Sequence, residues 1–169
     1  MEKFSDMLKK ESSLGYIYRL ARESDRMLRA TLDKDTDTMA QILELAHDTE
    51  VPLLSYNSEA ELTAMINLVY LSARDHYRVE REEKAGIGFV DFIFYPITDM
   101  AGDCIILELK VDSAPEEAIR QIKDKKYALR FAARLGGKVK YTGRILAVGI
   151  SYDRKKKKHS CKIEEIDRI

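Results

Sequence analysis

The segment Cys104-Ile-Ile-Leu-Glu-Leu-Lys-Val111 restricts the possible folds more than any other stretch of the chain. A run this apolar belongs to a strand in a sheet covered on both faces, where charged groups are normally excluded. It nevertheless holds two. Side chains alternate across a sheet, so Glu108 and Lys110 share one face while Leu107, Leu109 and Val111 take the other. The preceding strand candidate, Gly88 to Tyr95, has the same anomaly: Asp91 interrupts an aromatic and β-branched run. Two acids in adjacent buried strands call for one common explanation.

Around these strands the pattern predicts a single α/β domain. The chain has 169 residues, 45% of them hydrophobic, enough for one core and too few for two. Met27, Leu28 and Leu32, and then Met39, Ile42, Leu43 and Ala46, recur at helical spacing on either side of the polar DKDTDT stretch. This helical lead-in, residues 1–52, has no linker after it and is expected to pack on a core formed by residues 53–169. Ser58-Glu-Ala-Glu61 opens a further helix, with Leu62, Met65, Ile66 and Val69 as its buried stripe, running to about Asp75. Three strands follow, Tyr77 to Glu83, Gly88 to Tyr95 and Cys104 to Val111, the last two joined by ITDMAGD. Ser113-Ala-Pro-Glu116 reads as a capping box with proline in the first turn. It starts a long helix through Ile119, Ile122 and Leu129 that stops at Gly136-Gly137. Arg144 to Tyr152 and Lys162 to Ile166 then form two strands around the basic turn Asp153 to Lys158. The order after the lead-in is α-β-β-β-α-β-β.

Charge and composition narrow the function. Twenty-nine basic residues balance 29 acidic ones, so any attraction to phosphate must come from local patches. Cys104 and Cys161 are far apart in apolar contexts, as expected of packed thiols in a reducing compartment. No apolar run nears the roughly 20 residues a membrane helix needs, and MEKFSDMLKKESS is too charged for a secretory signal. The expectation is a cytoplasmic protein without a membrane partner. His47, His76 and His159 have no neighbour at metal or triad spacing and read as surface or packing residues.

Carboxylates held close together repel, and each costs several kcal/mol to remove from water unless a cation compensates. A divalent ion would do so. An Asp/Glu pair without nearby His or Cys ligands suits Mg²⁺ or Mn²⁺ together with a phosphate substrate. Lys110 could then hold the attacking water or stabilise charge on the phosphate. The plainer alternative is a buried Glu108–Lys110 or Asp91–Lys110 ion pair that only neutralises itself.

Asp91 followed by Glu108-Leu-Lys110 resembles the PD-(D/E)XK, or restriction-endonuclease-like, nuclease superfamily, whose core has the same α-β-β-β-α-β order. The segments GIGFVDFIFYP, CIILELKVDSAPEEAIRQIKDKKYA and ILAVGISYD look like the nuclease-like domain found C-terminal to AAA-ATPase-like modules in many bacterial and some archaeal proteins. The lead-in, with MLRATLDKDTDTMAQILELA and LLSYNSEAEL, also resembles what precedes that domain. The resemblance implies a mixed central sheet flanked by helices, with Asp91 and Glu108 as metal ligands and Lys110 as catalytic lysine. It also implies a helix acid that completes the site: Glu61, with Glu59 second, although Glu61 could equally close a capping box with Ser58. Gln121 matches a glutamine that lies beside the site in related nucleases. Tyr127 stands six residues after it and reads as helix packing. The implied activity is hydrolysis of DNA, or of RNA. The other reading is a catalytically silent module serving an AAA-ATPase-like part of a longer chain, for no G-x-x-x-x-G-K-[ST] loop occurs here.

Two basic patches are available to nucleic acid. Lys123, Lys125, Lys126, Arg130 and Arg134 line the second long helix, where a solvated face is the simpler reading because Glu116, Glu117 and Asp124 dilute the charge. Arg154, Lys155, Lys156 and Lys157 crowd the hairpin turn, open to either reading. Gly86-Ile-Gly88 is too short to cradle phosphate and is expected to relax the chain or allow close approach near Asp91.

Overall fold

The computed structural model describes residues 15, 18–19, 21–47, 59–83 and 90–168, and within them not the side chains of residues 47, 59–62, 83, 90 and 91. Gly86, Gly88 and Ser58, and the side chains of Glu59, Glu61 and Asp91, lie outside the described part. Helix α1 covers residues 21–32, followed by α2 (Thr36–His47) and α3 (Glu59–Val69). A 3-10 turn (Leu71–Asp75) leads into β1 (Tyr77–Glu83), β2 (Val90–Pro96) and β3 (Cys104–Val111). Helix α4 (Pro115–Asp124) and a second 3-10 turn (Tyr127–Phe131) precede the short β4 (Arg134–Leu135) and β5 (Lys138–Val139). The chain then forms β6 (Ile145–Asp153) and β7 (Lys158–Ile166).

The main sheet has the order β1-β2-β3-β6-β7. Among the described residues only β3 and β6 pair in parallel, and α4 lies in the crossover between them; the other pairs are antiparallel. Both faces are covered, as the apolar β3 run requires. On one face Phe92, Phe94, Ile105, Leu107, Leu109, Leu146, Val148, Ile150 and Tyr152 share a core with Met27 of α1, Met39, Ile42 and Leu43 of α2, and Met65, Ile66 and Val69 of α3. The described part of the lead-in therefore packs into the same core as the sheet. On the other face Ile93, Tyr95, Cys104, Ile106, Ile145 and Ala147 meet Ile119 and Ile122 of α4, with Tyr127, Phe131 and Tyr141. Each of the largest buried side chains contributes about 1.5–3 kcal/mol. Among the described residues no helix is long and apolar enough to cross a membrane. Both cysteines are free thiols.

Four local expectations are corrected. The last strand begins at Lys158 and not at Lys162, because its ladder with β6 continues to Asp153 opposite Lys158. The long helix ends at Asp124, because Lys126 takes a left-handed conformation (φ 54°) and the chain tightens into the second 3-10 turn. This redirection seats the Phe131 ring 5.1 Å from that of Tyr95 and 5.6 Å from that of Tyr141, and it leaves Leu129 53% exposed. Gly136 and Gly137 do not stop a helix; both have positive φ (60° and 80°) at the turn between β4 and β5, where only glycine meets that demand without strain. Ser113 does not cap α4 either. Ala114 is the N-cap residue, without a side-chain bond, and the Ser113 carbonyl instead accepts a hydrogen bond from Ser151 Oγ of β6.

Two polar contacts tie the lead-in to the sheet layer. The Tyr70 hydroxyl lies 2.7 Å from Thr31 Oγ1, which donates to the Met27 carbonyl at 2.8 Å, and the Tyr70 ring meets Phe94 edge-on at 5.4 Å. His159, at the start of β7, is buried with Nδ1 3.0 Å from Glu44 Oε1 of α2 and its ring 4.8 Å from that of Tyr152. Tyr70→Phe keeps the ring contact and removes the hydroxyl. A loss of about 0.5–1.5 kcal/mol is expected in denaturant melts. An unchanged midpoint would show that the Thr31–Tyr70 bond adds nothing to the docking of α1.

Candidate active site

Alternation along the strands places the charged residues. In β3, Cys104 and Ile106 belong to the core under α4, so Glu108 and Lys110 continue on the α4 face. In β2, Ile93 and Tyr95 belong to that same core, and position 91 continues their series. Asp91 is the direct cross-strand partner of Glu108 in the antiparallel ladder. Directly opposed positions are neighbours on one face of a sheet. Across the parallel ladder Glu108 pairs with Gly149 and Lys110 with Ser151.

Gly149 governs how close the helix can come. A Cβ at this position would stand 2.4 Å from the Pro115 carbonyl oxygen and 3.0 Å from Ala118 Cβ. The bare backbone of β6 therefore lets the first turn of α4 rest on the sheet beside Glu108. Ala118, Gln121, Ile122 and Lys125 recur at helical spacing along the inner side of α4. Lys110 Nζ donates to Gln121 Oε1 at 2.7 Å. Lys125, the C-cap residue, reaches back to Glu108, with Nζ 3.2 Å from Oε1.

Glu108 is fully buried and Lys110 only 3% exposed. A carboxylate in such a place stays charged only with cations close by. Two ammonium groups supply that, for Lys110 Nζ is 3.8 Å from the oxygen that Lys125 approaches at 3.2 Å. The Glu108–Lys110 pair thus exists, but at a longer distance than the Lys110–Gln121 bond. Lys110 is held by the helix more than by the acid.

A cleft opens beside Lys110, between Ser113 and Ala114 of the β3–α4 loop and Glu117, Arg120 and Gln121 of α4. A hydrogen bond from the Arg120 guanidinium holds the Glu117 carboxyl below the usual carboxylate range. The basic hairpin lies past the same end of the sheet, since Lys110 and Val111 pair with Ser151 and Tyr152 just before it. Arg154 is tied to Asp112 through its backbone N–H (2.9 Å) and Nε (2.6 Å), and these bonds lower the Asp112 carboxyl. Asp153 Oδ1 accepts from the backbone of Lys155 and Lys156 at 2.9 and 3.0 Å, while the side chains of Lys155, Lys156 and Lys157 are exposed. The helix stripe is more fully engaged: Lys123 pairs with Glu164 at 2.6 Å, Lys125 with Glu108, and Arg130 with Glu82.

The structure thus brings together Glu108, Lys110 and Gln121, with the backbone of Asp91 in register. The carboxylates of Asp91 and Glu61 fall outside the described part, and no group of three or more His, Cys, Asp or Glu suited to a metal ion occurs among the described residues. Two contributors escape sequence reasoning. Gly149 had a signal available, as the lone glycine within ILAVGISYD. Lys125 reads from the sequence as a candidate nucleic-acid contact on a basic stripe, and its approach to Glu108 is what the sequence did not show. Tyr127 lies in the core under α4, 5.7 Å from Lys125 Nζ.

A family model described as the PD-(D/E)XK nuclease superfamily matches residues 58–161, more than half of the chain. No curated protein and no solved structure matches it.

Proposed function

The chain belongs to the PD-(D/E)XK nuclease superfamily, with the mixed sheet and flanking helices of a restriction-endonuclease-like fold, and on that premise we propose that it hydrolyses phosphodiester bonds of nucleic acid, with DNA the first substrate to test and RNA the second. The observation that carries this reading is the register of Asp91 against Glu108, with Lys110 two positions further on the same face and bonded to Gln121. Superfamily membership points to a divalent-metal-dependent nuclease. The oxygen-only donor set fits such an ion, for carboxylates without imidazole or thiolate suit hard cations. Asp91 and Glu108 would hold Mg²⁺ or Mn²⁺, with Glu61 as a third ligand. When bound, the ion supplies Lewis-acid stabilisation of phosphate charge and lowers the pKa of a coordinated water.

The chain's own groups do the rest. Gln121 aims the Lys110 ammonium, which enters the reaction in a fixed orientation and stabilises negative charge developing on the phosphate. Burial strengthens that interaction relative to water. Lys155, Lys156 and Lys157 contact the backbone of the nucleic acid beyond the Lys110 end of the sheet, with Arg154 holding their turn to the β3–α4 loop. The likeness to domains that accompany AAA-ATPase-like modules supports a working partner of that kind.

The test is incubation of purified protein with labelled single- and double-stranded DNA and RNA, in Mn²⁺ or in EDTA. Cleavage of DNA in Mn²⁺ and none in EDTA is expected. Cleavage that persists in EDTA, or no product from any substrate, would overturn the proposal. One observation favours a second reading: two lysines already approach the Glu108 carboxylate. A silent binding module would show no thermal stabilisation by Mn²⁺, whereas the nuclease is stabilised by a ligand that only the folded state holds.

A further inference from the structure

We propose that Lys125 is the resident cation of the Glu108 site, neutralising that buried carboxylate until a divalent ion binds and then turning outward to a substrate phosphate. The proposal rests on the nuclease reading above and adds to it a residue that moves between two partners.

Two ammonium groups address Glu108 Oε1, and they are held differently. Lys110 is 3% exposed, sits on the central strand and donates to Gln121 at 2.7 Å. Lys125 lies closer to the carboxylate, at 3.2 Å, yet its side chain is 29% exposed. It is also the C-cap of α4, directly before the left-handed Lys126. A divalent ion on Glu108 would place additional positive charge against both ammonium groups, and like charges within a few ångströms repel strongly away from water. The group with a route to solvent and no strand backbone to hold it is the one that yields. Lys125 therefore leaves and Lys110 stays.

A lysine displaced in this way remains on its tether beside the site. The buried Tyr127 ring, 5.7 Å from Nζ, flanks the ammonium on the core side. Its natural new partner is an anion arriving with the metal, and a phosphodiester is the anion this site is built to receive. Without metal, Lys125 joins Lys110 in compensating Glu108; with metal and substrate, the ion takes over the carboxylate and Lys125 compensates phosphate.

The experiment measures Mn²⁺ affinity by calorimetry without nucleic acid, and affinity for a labelled DNA duplex in Ca²⁺, for the wild type and Lys125 variants. Lys125→Met is expected to bind Mn²⁺ about tenfold more tightly, because a competing charge is gone. It is expected to bind the duplex in Ca²⁺ about fivefold more weakly, because a phosphate contact is gone. Lys125→Gln, which keeps a hydrogen-bond donor toward Glu108, carries the same expectation and serves if the methionine variant does not fold. Lys125→Arg should restore both values toward wild type, and Lys123→Met, on the exposed side of the helix, should leave the Mn²⁺ affinity unchanged. Wild-type protein that binds Mn²⁺ while the Met and Gln variants bind it no more tightly overturns the role of Lys125 and leaves the nuclease reading standing. Tighter metal binding with unchanged duplex affinity overturns the outward turn to phosphate. Wild-type protein that binds no Mn²⁺ overturns both.

Discussion

Lys110→Ala is expected to lower the rate of DNA cleavage by roughly 10²–10³-fold while the protein stays folded and still binds Mn²⁺. The size follows from where the ammonium sits. It is almost fully buried and is oriented by a 2.7 Å bond to Gln121, so its charge acts on the phosphate with little screening and little reorganisation. Folding should survive because Lys125 remains 3.2 Å from Glu108 and the buried acid keeps a counter-charge. The measurement is a single-turnover cleavage assay with saturating Mn²⁺, beside a thermal melt and a metal titration of the same variant. A folded Lys110→Ala protein that cleaves at the wild-type rate would remove Lys110 from the chemistry.

Gly149→Ala should destabilise the protein by about 1–3 kcal/mol and depress cleavage further than the lost stability explains. The added methyl would lie 2.4 Å from the Pro115 carbonyl oxygen, a backbone atom at the start of α4 that cannot rotate away. Relief requires α4 to move off β6. Gln121 and Lys125 ride on that helix, so both would withdraw from the strand that holds Lys110 and Glu108. For a domain of this size the midpoint of thermal unfolding should fall by roughly 2–12 °C. Activity is compared well below the midpoint, where the variant is fully folded. An alanine variant with wild-type melting and wild-type cleavage would show that close approach of α4 is not what aligns the site.

Sequence and structure agree most closely where one physical signal acts alone. The β3 strand runs from Cys104 to Val111 as its apolar run predicts, and the sheet is covered on both faces as that run requires. Helix α4 is harder to read. Ile119 and Ile122 do face the core, but Leu129, which continues the pattern on paper, is mostly exposed. The need to seat Tyr127 and Phe131 against Tyr95 and Tyr141 outweighs the helical pattern. Gly136-Gly137 signals both a helix end and a hairpin, and only the pairing of β4 with β5 decides between them.

The sequence by itself determined that Glu108 and Lys110 share a face, because a two-residue spacing on a strand leaves no other choice. It also determined that charged groups stand within an apolar sheet, and with them the kind of chemistry to expect. Tertiary structure alone decided what stands beside those groups: the backbone of Asp91 through the β2–β3 register, and Gln121 and Lys125 through the approach of α4 over Gly149. The division has a physical cause. Alternation is a local property of the backbone, whereas register and helix docking are settled by packing among residues far apart in the chain.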